Sequence, residues 1–333
     1  MGIGANAGLA AAAIWAASSL LYSMARMTAW ELNYWKNTIA SVIFLVHLTV
    51  VRVFLEPGPV FQAPWQAWLW LGLSSLLGIV VGDTIYLRSL QILGARRAVV
   101  VATVAPIFGL MIGWSVMGDA MTLSLLAGVG LTVFGVGVVV SDKKAELEKP
   151  NVFPGNFRVG VLLGVGAAFC QALSVALAKI GMNQGCEALE SSFIRIVVAA
   201  GAMSFGCVCF PKTFGSFWKS NSPLTNPKVL EPAVKASRSE SIVSPIWKPL
   251  TDRQSMGYFI PAVFMGTWIG IWLFQIAQQY SETAVVTTLV STCPIFAIPM
   301  VWLVQGHRVS SKGFWGTGLA VAGVYLVVIY ASN

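Results

Sequence analysis

The chain has 333 residues, 56% of them hydrophobic and only 10% charged, with a formal net charge of +8. Soluble domains carry about 25% charged residues, so a fold that faces water on all sides is excluded. The positive charges sit between apolar stretches rather than on one basic face, which excludes a nucleic-acid footprint.

The apolar stretches recur at about the 20 residues that cross hydrocarbon as a helix. They predict spans at 6–25, 32–55, 66–90, 96–117, 122–141, 158–180, 189–210, 256–280, 283–305 and 312–331. The ~10-residue alternating segments of a membrane β-barrel are missing. The first apolar run, Gly8 to Met24, has no basic residue before it, and Arg26 follows it, so it reads as a retained span rather than a signal peptide. Most connections are short and imply antiparallel neighbours. Residues 142–157 are charged and contain proline, as a linker between two halves would. Residues 211–255 are rich in Ser, Pro and Lys, with too few apolar residues for a core. They read as a polar, disordered insertion or a small folded cap.

Shifted by 188 positions, the chain matches itself without a gap. Gly78 and Gly82 fall on Gly266 and Gly270, Pro106-Ile107-Phe108 on Pro294-Ile295-Phe296, and Trp114 on Trp302. Gly118, Gly128, Gly130, Leu131, Gly135 and Val136 meet Gly306, Gly316, Gly318, Leu319, Gly323 and Val324. The expected fold is therefore an all-α integral membrane protein of ten transmembrane helices, built as two inverted five-helix repeats over 1–141 and 158–333. An odd number of spans per repeat forces the inversion, and inverted repeats are an architecture of secondary transporters. Lys and Arg concentrate in the odd-numbered connections, for example Arg96, Arg97, Lys143, Lys144, Arg308 and Lys312. The positive-inside rule then puts both termini outside.

Pro106 and Pro294 each remove a helix hydrogen bond and free the carbonyl four residues earlier, at Ala102 and Val290. They read as helix breaks lining a polar cavity, with Thr103, Thr287, Thr288, Ser291 and Thr292 near the freed groups, or as tolerated membrane kinks. Asp83 is the one acidic residue well inside a span. Such a carboxylate costs at least about 2.5 kcal/mol unless it faces a cavity, finds a partner or is protonated. It reads as a contact for a substrate amine, a proton-coupling group, or the partner of Arg88 at the interface. Lys36, Lys179 and Arg195 either snorkel to headgroups or bind an anion.

In the eighth span Trp268, Trp272, Gln275 and Gln279 follow i, i+4, i+7, i+11 and share one helix face. Trp15, Ser18, Ser19 and Tyr22 on the first span, and Gln171 and Ser174 on the sixth, are similar. Together they suggest a pocket of aromatic and neutral polar groups. Cys170, Cys186, Cys207, Cys209 and Cys293 lack metal-ligand spacing and read as packing residues. His47 and His307 are isolated, and neither a phosphate-binding glycine loop nor H-E-x-x-H is present. Neither a metal, a cofactor, enzymatic activity nor ATP-driven pumping by this chain alone is expected.

These residues resemble the EamA-type ten-helix members of the drug/metabolite transporter superfamily, over nearly the whole chain outside 211–255. The likeness rests on paired five-span repeats. In each, a segment such as Ala98-Val99-Val100 leads to Pro106-Ile107-Phe108, a turn at Gly118 and a Gly-rich last span. The resemblance implies a basket of helices in which spans 1, 3, 4, 6, 8 and 9 line a cavity, while spans 5 and 10 pack at a pseudo-twofold interface. It puts Trp15, Tyr22, Asp83, Tyr86, Thr103, Gln171, Trp272, Gln275 and Ser291 near the substrate. Two features depart from the family pattern. The acidic residue after the turn glycine is kept as Asp119 but replaced by His307, and the family's cytoplasmic termini conflict with the charge pattern.

The expected function is a secondary or facilitative transporter that moves a small amino-acid-like or drug-like solute by alternating access. It would sit in the cell membrane as a monomer or homodimer, in contact with lipid, with proton coupling open. An organophosphate or nucleotide-sugar exchanger is the alternative, and it would need basic groups converging on the cavity. A receptor or intramembrane enzyme is the alternative of another class, but no cluster of His, Asp or Glu at one depth supports an enzyme.

Overall fold

The computed structural model describes residues 2–25, 27–102, 104–118, 122–140, 156–209, 253–305 and 311–332. Every regular element among them is helical: α1 (Ile3–Met24), α2 (Ala29–Leu55), α3 (Trp65–Leu93), α4 (Ala95–Ala102), α5 (105–117), α6 (Leu123–Val140), α7 (Phe157–Met182), α8 (Ala188–Cys209), α9 (Arg253–Tyr280), α10 (Thr283–Val290), α11 (Cys293–Gln305) and α12 (Ser311–Ser332). Among the described residues α1, α2, α3, α7, α8 and α9 are long and apolar enough to cross a membrane.

Local chemistry sets the boundaries. A capping box opens α2: Glu31 N–H donates to Thr28 Oγ1, and Thr28 N–H donates to the Glu31 carboxylate at 2.7 Å. Gly94, at φ 82°, ends α3 in a conformation that a Cβ would strain, and α4 follows at once. The long helices α3 and α9 are each interrupted by a π-helical stretch, Leu76–Asp83 and Val263–Ile269. Residues 253–255, expected in the polar insertion, instead form the first turn of α9, with Ser255 buried. The rest of that insertion lies outside the described residues.

The two prolines stand where helices break. Pro106 is the second residue of α5, after the gap that separates it from α4. Pro294 is the second residue of α11, after the turn at Ser291 and Thr292 that ends α10. A proline in a first helical turn forfeits no intrahelical bond. The hydroxyls beside the second break take up helix carbonyls: Ser291 Oγ donates to Thr287 O at 2.8 Å and Thr292 Oγ1 to Leu289 O at 2.6 Å. Thr103 lies outside the described residues.

Helix ends follow the 188-residue register. Trp65 and Arg253 open α3 and α9, Ala95–Ala102 matches Thr283–Val290, 105–117 matches Cys293–Gln305, and Leu123 and Ser311 open α6 and α12. Contacts between the halves are reciprocal in the same register. A Cβ on Gly135 of α6 would lie 2.5 Å from Ala320 N and 2.6 Å from Gly316 O of α12. One on Gly323 of α12 would lie 2.5 Å from Thr132 N and 2.6 Å from Gly128 O of α6. Gly109 of α5 abuts Thr287 of α10, while their equivalents Ala297 and Val99 share one apolar cluster. Gly78 of α3 abuts Ser174 of α7, and Gly266 of α9 abuts Ser18 of α1. Such small residues let helices approach closely in lipid, where apolar area alone drives no association. Gly130, Gly137 and Gly318 meet no neighbour at the Cβ position, so the Gly-rich spans are not packing surfaces throughout.

Candidate functional site

A cavity of about 180 Å³ opens in the interior of the bundle, lined by residues of α1, α2 and α3, by α7, α8 and α9, and by both helix breaks. Its apolar wall includes Trp15, Ile79, Ile271, Phe274 and Val290. The Trp15 and Phe274 rings lie 4.9 Å apart and tilted, and Trp15 Nε1 donates to Gly266 O at 2.9 Å. Two hydroxyl pairs brace the wall between helices: Tyr22 with Thr267 at 2.8 Å, and Tyr86 with Ser19 at 3.1 Å.

Among the described residues three charged side chains line the cavity: Lys36, Asp83 and Arg195. Lys36 Nζ donates to Asp83 Oδ2 at 2.5 Å, with the lysine buried and 30% of the carboxylate side chain exposed to the cavity. Asn33, one turn before Lys36, bonds Ile79 O at 2.7 Å and Thr84 Oγ1 at 2.8 Å. It thereby holds the π-helical stretch that presents Asp83. Arg195 is 2% exposed. Its guanidinium donates to Gln275 Oε1 at 2.7 Å and Ser174 Oγ at 2.9 Å, while its buried Nε has no partner. Ser75 Oγ donates to the Arg195 carbonyl, and Gln275 Nε2 to Ser191 Oγ. The arginine is therefore fixed at both ends by neutral groups.

Of the expected site residues, Trp15, Ser19, Tyr22, Asp83, Tyr86, Gln171 and Ser291 line the cavity. Gln275 stands behind Arg195 instead. Gln279 Oε1 accepts from Ala188 N at 3.2 Å. Thr287 is buried against Gly109 and donates to Thr283 O. Trp268 and Trp272 pack on His47 of α2, with Trp268 Nε1 donating to His47 Nδ1 at 3.3 Å. The face of α9 that meets the cavity is Thr267, Ile271 and Phe274, one position ahead of the expected stripe. One residue is about 100° of helix rotation.

Snorkelling does not describe the three cations. Lys36 and Arg195 are buried in the protein, and Asp83 pairs with Lys36 rather than Arg88. Lys179 donates to the end carbonyls of α9 and its turn, at 2.5 Å to Gln278 O and 3.1 Å to Ser281 O. Asn33, an amide inside an apolar span, was the missing signal for the π-helical part of α3. Among the described residues no group of three His, Cys, Asp or Glu side chains could hold a metal ion.

The long apolar helices define a membrane protein with a central cavity, which is the class to which a small-solute transporter belongs. The model of the EamA-like transporter family matches residues 2–141 and 158–329, once in each half, and the chain belongs to that family. A solved crystal structure is similar over 99% of this chain and 97% of its own, with 14% sequence identity and a TM-score of 0.63. At that identity the likeness carries the fold alone. No curated protein matches the sequence.

Proposed function

We propose that this chain is a secondary or facilitative transporter that carries a small organic solute across the cell membrane by alternating access. The observation that carries this reading is a cavity walled by both family repeats and bordered by two broken helices. In this account α4 with α5 and α10 with α11 form the fourth and ninth of ten spans. The halves are related by a pseudo-twofold axis in the membrane plane. The reciprocal contacts of Gly135 and Gly323 support it, since self-complementary pairing is the mark of a twofold relation.

The turns at Val104 and at Ser291–Thr292 supply hinges beside the cavity. Half-helices α4 and α10 pivot there while the interface of α6 and α12 holds the repeats together. The cell-membrane setting and a monomer or homodimer belong to the same reading, which leaves proton coupling, exchange and facilitated passage as its three modes. An organophosphate or nucleotide-sugar exchanger gains from Arg195 and Lys36 both reaching the cavity. The pairing of Lys36 with Asp83 takes one of these two cations away from a polyanion. The test is uptake into liposomes holding the purified chain and no ATP. Saturable flux of some solute is expected, and a broad solute panel giving neither flux nor thermal stabilisation overturns the reading.

A further inference from the structure

We propose that the solute is a monoanion, one carboxylate on an apolar body, and that Arg195 anchors it; this rests on the transport reading of the same cavity. Among the described residues the charged groups that line the cavity are Lys36, Asp83 and Arg195, and Asp83 forms its ion pair with Lys36. Arg195 is left with two neutral partners, Gln275 and Ser174, and a buried, unpartnered Nε. The described lining therefore holds one net positive charge. A buried guanidinium hydrogen-bonded only to neutral groups is costly, and a carboxylate relieves that cost through charge-assisted, fork-matched bonds.

The site is built for this group. Ser174 Oγ is itself held by Ser74 at 3.0 Å, and Ser75 fixes the Arg195 backbone. Gly78 lets α3 close on Ser174, because a Cβ there would collide with that side chain, and this brings α3 beside the guanidinium. Charge balance then selects among solutes. A zwitterion leaves the positive charge uncompensated, a dianionic phosphate adds one negative charge too many, and a neutral solute leaves Arg195 unpaired. The wall of Trp15, Phe274 and Ile271 accepts the apolar body.

The test uses one body in four charge states: phenylacetate, phenylacetamide, phenylalanine and phenyl phosphate, titrated into the full chain in lipid nanodiscs. Phenylacetate is expected to bind, with the other three weaker by about tenfold or more. Arg195→Gln should lose phenylacetate binding by a similar factor, and Arg195→Lys should keep part of it. Gln275→Glu retains the arginine and supplies an internal carboxylate, so it keeps the fold testable if Arg195→Gln does not fold. It should also weaken phenylacetate by about tenfold. Equal binding of phenylalanine or phenylacetamide, unaltered binding in Gln275→Glu, or binding of none of the four overturns the proposal. Flux measured in parallel separates the two claims. Transport of a neutral or zwitterionic solute without phenylacetate leaves the transporter reading standing and removes the charge assignment. Phenylacetate binding without flux of any solute does the reverse.

Discussion

Gly135 of α6 and Gly323 of α12 occupy equivalent places in the two repeats, and each lies against the backbone of the helix that carries the other. Backbone cannot move aside as a flexible side chain can. Gly135→Ala and Gly323→Ala should therefore each destabilise the protein by about 1–3 kcal/mol, the usual cost of overpacking. Gly130→Ala and Gly137→Ala meet nothing at the Cβ position and should be neutral or slightly stabilising. Thermal melts in detergent compare the four. Tolerance of both Gly135→Ala and Gly323→Ala would contradict the close interface.

Lys36 and Asp83 form a pair whose lysine is buried and whose carboxylate meets the cavity. Removing either partner strands the other, at a cost of about 2 kcal/mol or more, moderated here by the exposure of Asp83. The double variant Lys36→Met with Asp83→Leu should be less destabilised than the sum of the singles, by at least about 1 kcal/mol. A thermodynamic cycle from denaturation midpoints measures this coupling, and strict additivity would refute the pairing.

How much of this was legible beforehand depends on range. Apolar length located the six long helices, and Pro106 and Pro294 stand beside the two breaks, because both signals are local. Trp15, Ser19, Tyr22 and Asp83 stand out by the polar and aromatic groups they add to apolar spans, and they line the cavity. The phase of α9 was not readable: Thr267, Ile271 and Phe274 face the cavity while Trp268 and Trp272 find His47 on a distant helix. Helical spacing groups residues on a face but does not say which face turns inward. Lys36 and Arg195 were ambiguous for a related reason, since a buried cation and a snorkelling one differ only in partners supplied by other helices.

One end of the bundle is tied across the halves. The Glu190 carboxylate accepts from the backbone N–H groups of Gln62 and Ala63, each at 2.8 Å, and Arg52 pairs with Glu187 at 2.8 Å. Glu190→Ala should release the connection before α3, so amide hydrogen exchange at Gln62 and Ala63 should quicken by about tenfold or more. Unchanged protection would mean that other contacts hold this connection.

Cys186 sits in the turn between α7 and α8 at the same end. Burial, with the Glu190 and Glu187 carboxylates beside it, pushes its thiol up to about 12. A raised thiol stays protonated at neutral pH, and only the thiolate attacks electrophiles. Cys186 should resist maleimide at pH 7.5 while exposed Cys209 is labelled, as intact-mass spectra would report. Equal labelling of the two would place Cys186 in a more open setting than its burial indicates.

The central claim is that the cavity between the repeats carries a solute across the membrane. Its most direct test is the time course of labelled phenylacetate entering sealed liposomes that hold the purified chain, without ATP. Saturable uptake is predicted, lost in Gln275→Glu and retained in Gly130→Ala. Uptake no faster than in protein-free liposomes, for phenylacetate and for a broad solute panel alike, would contradict it.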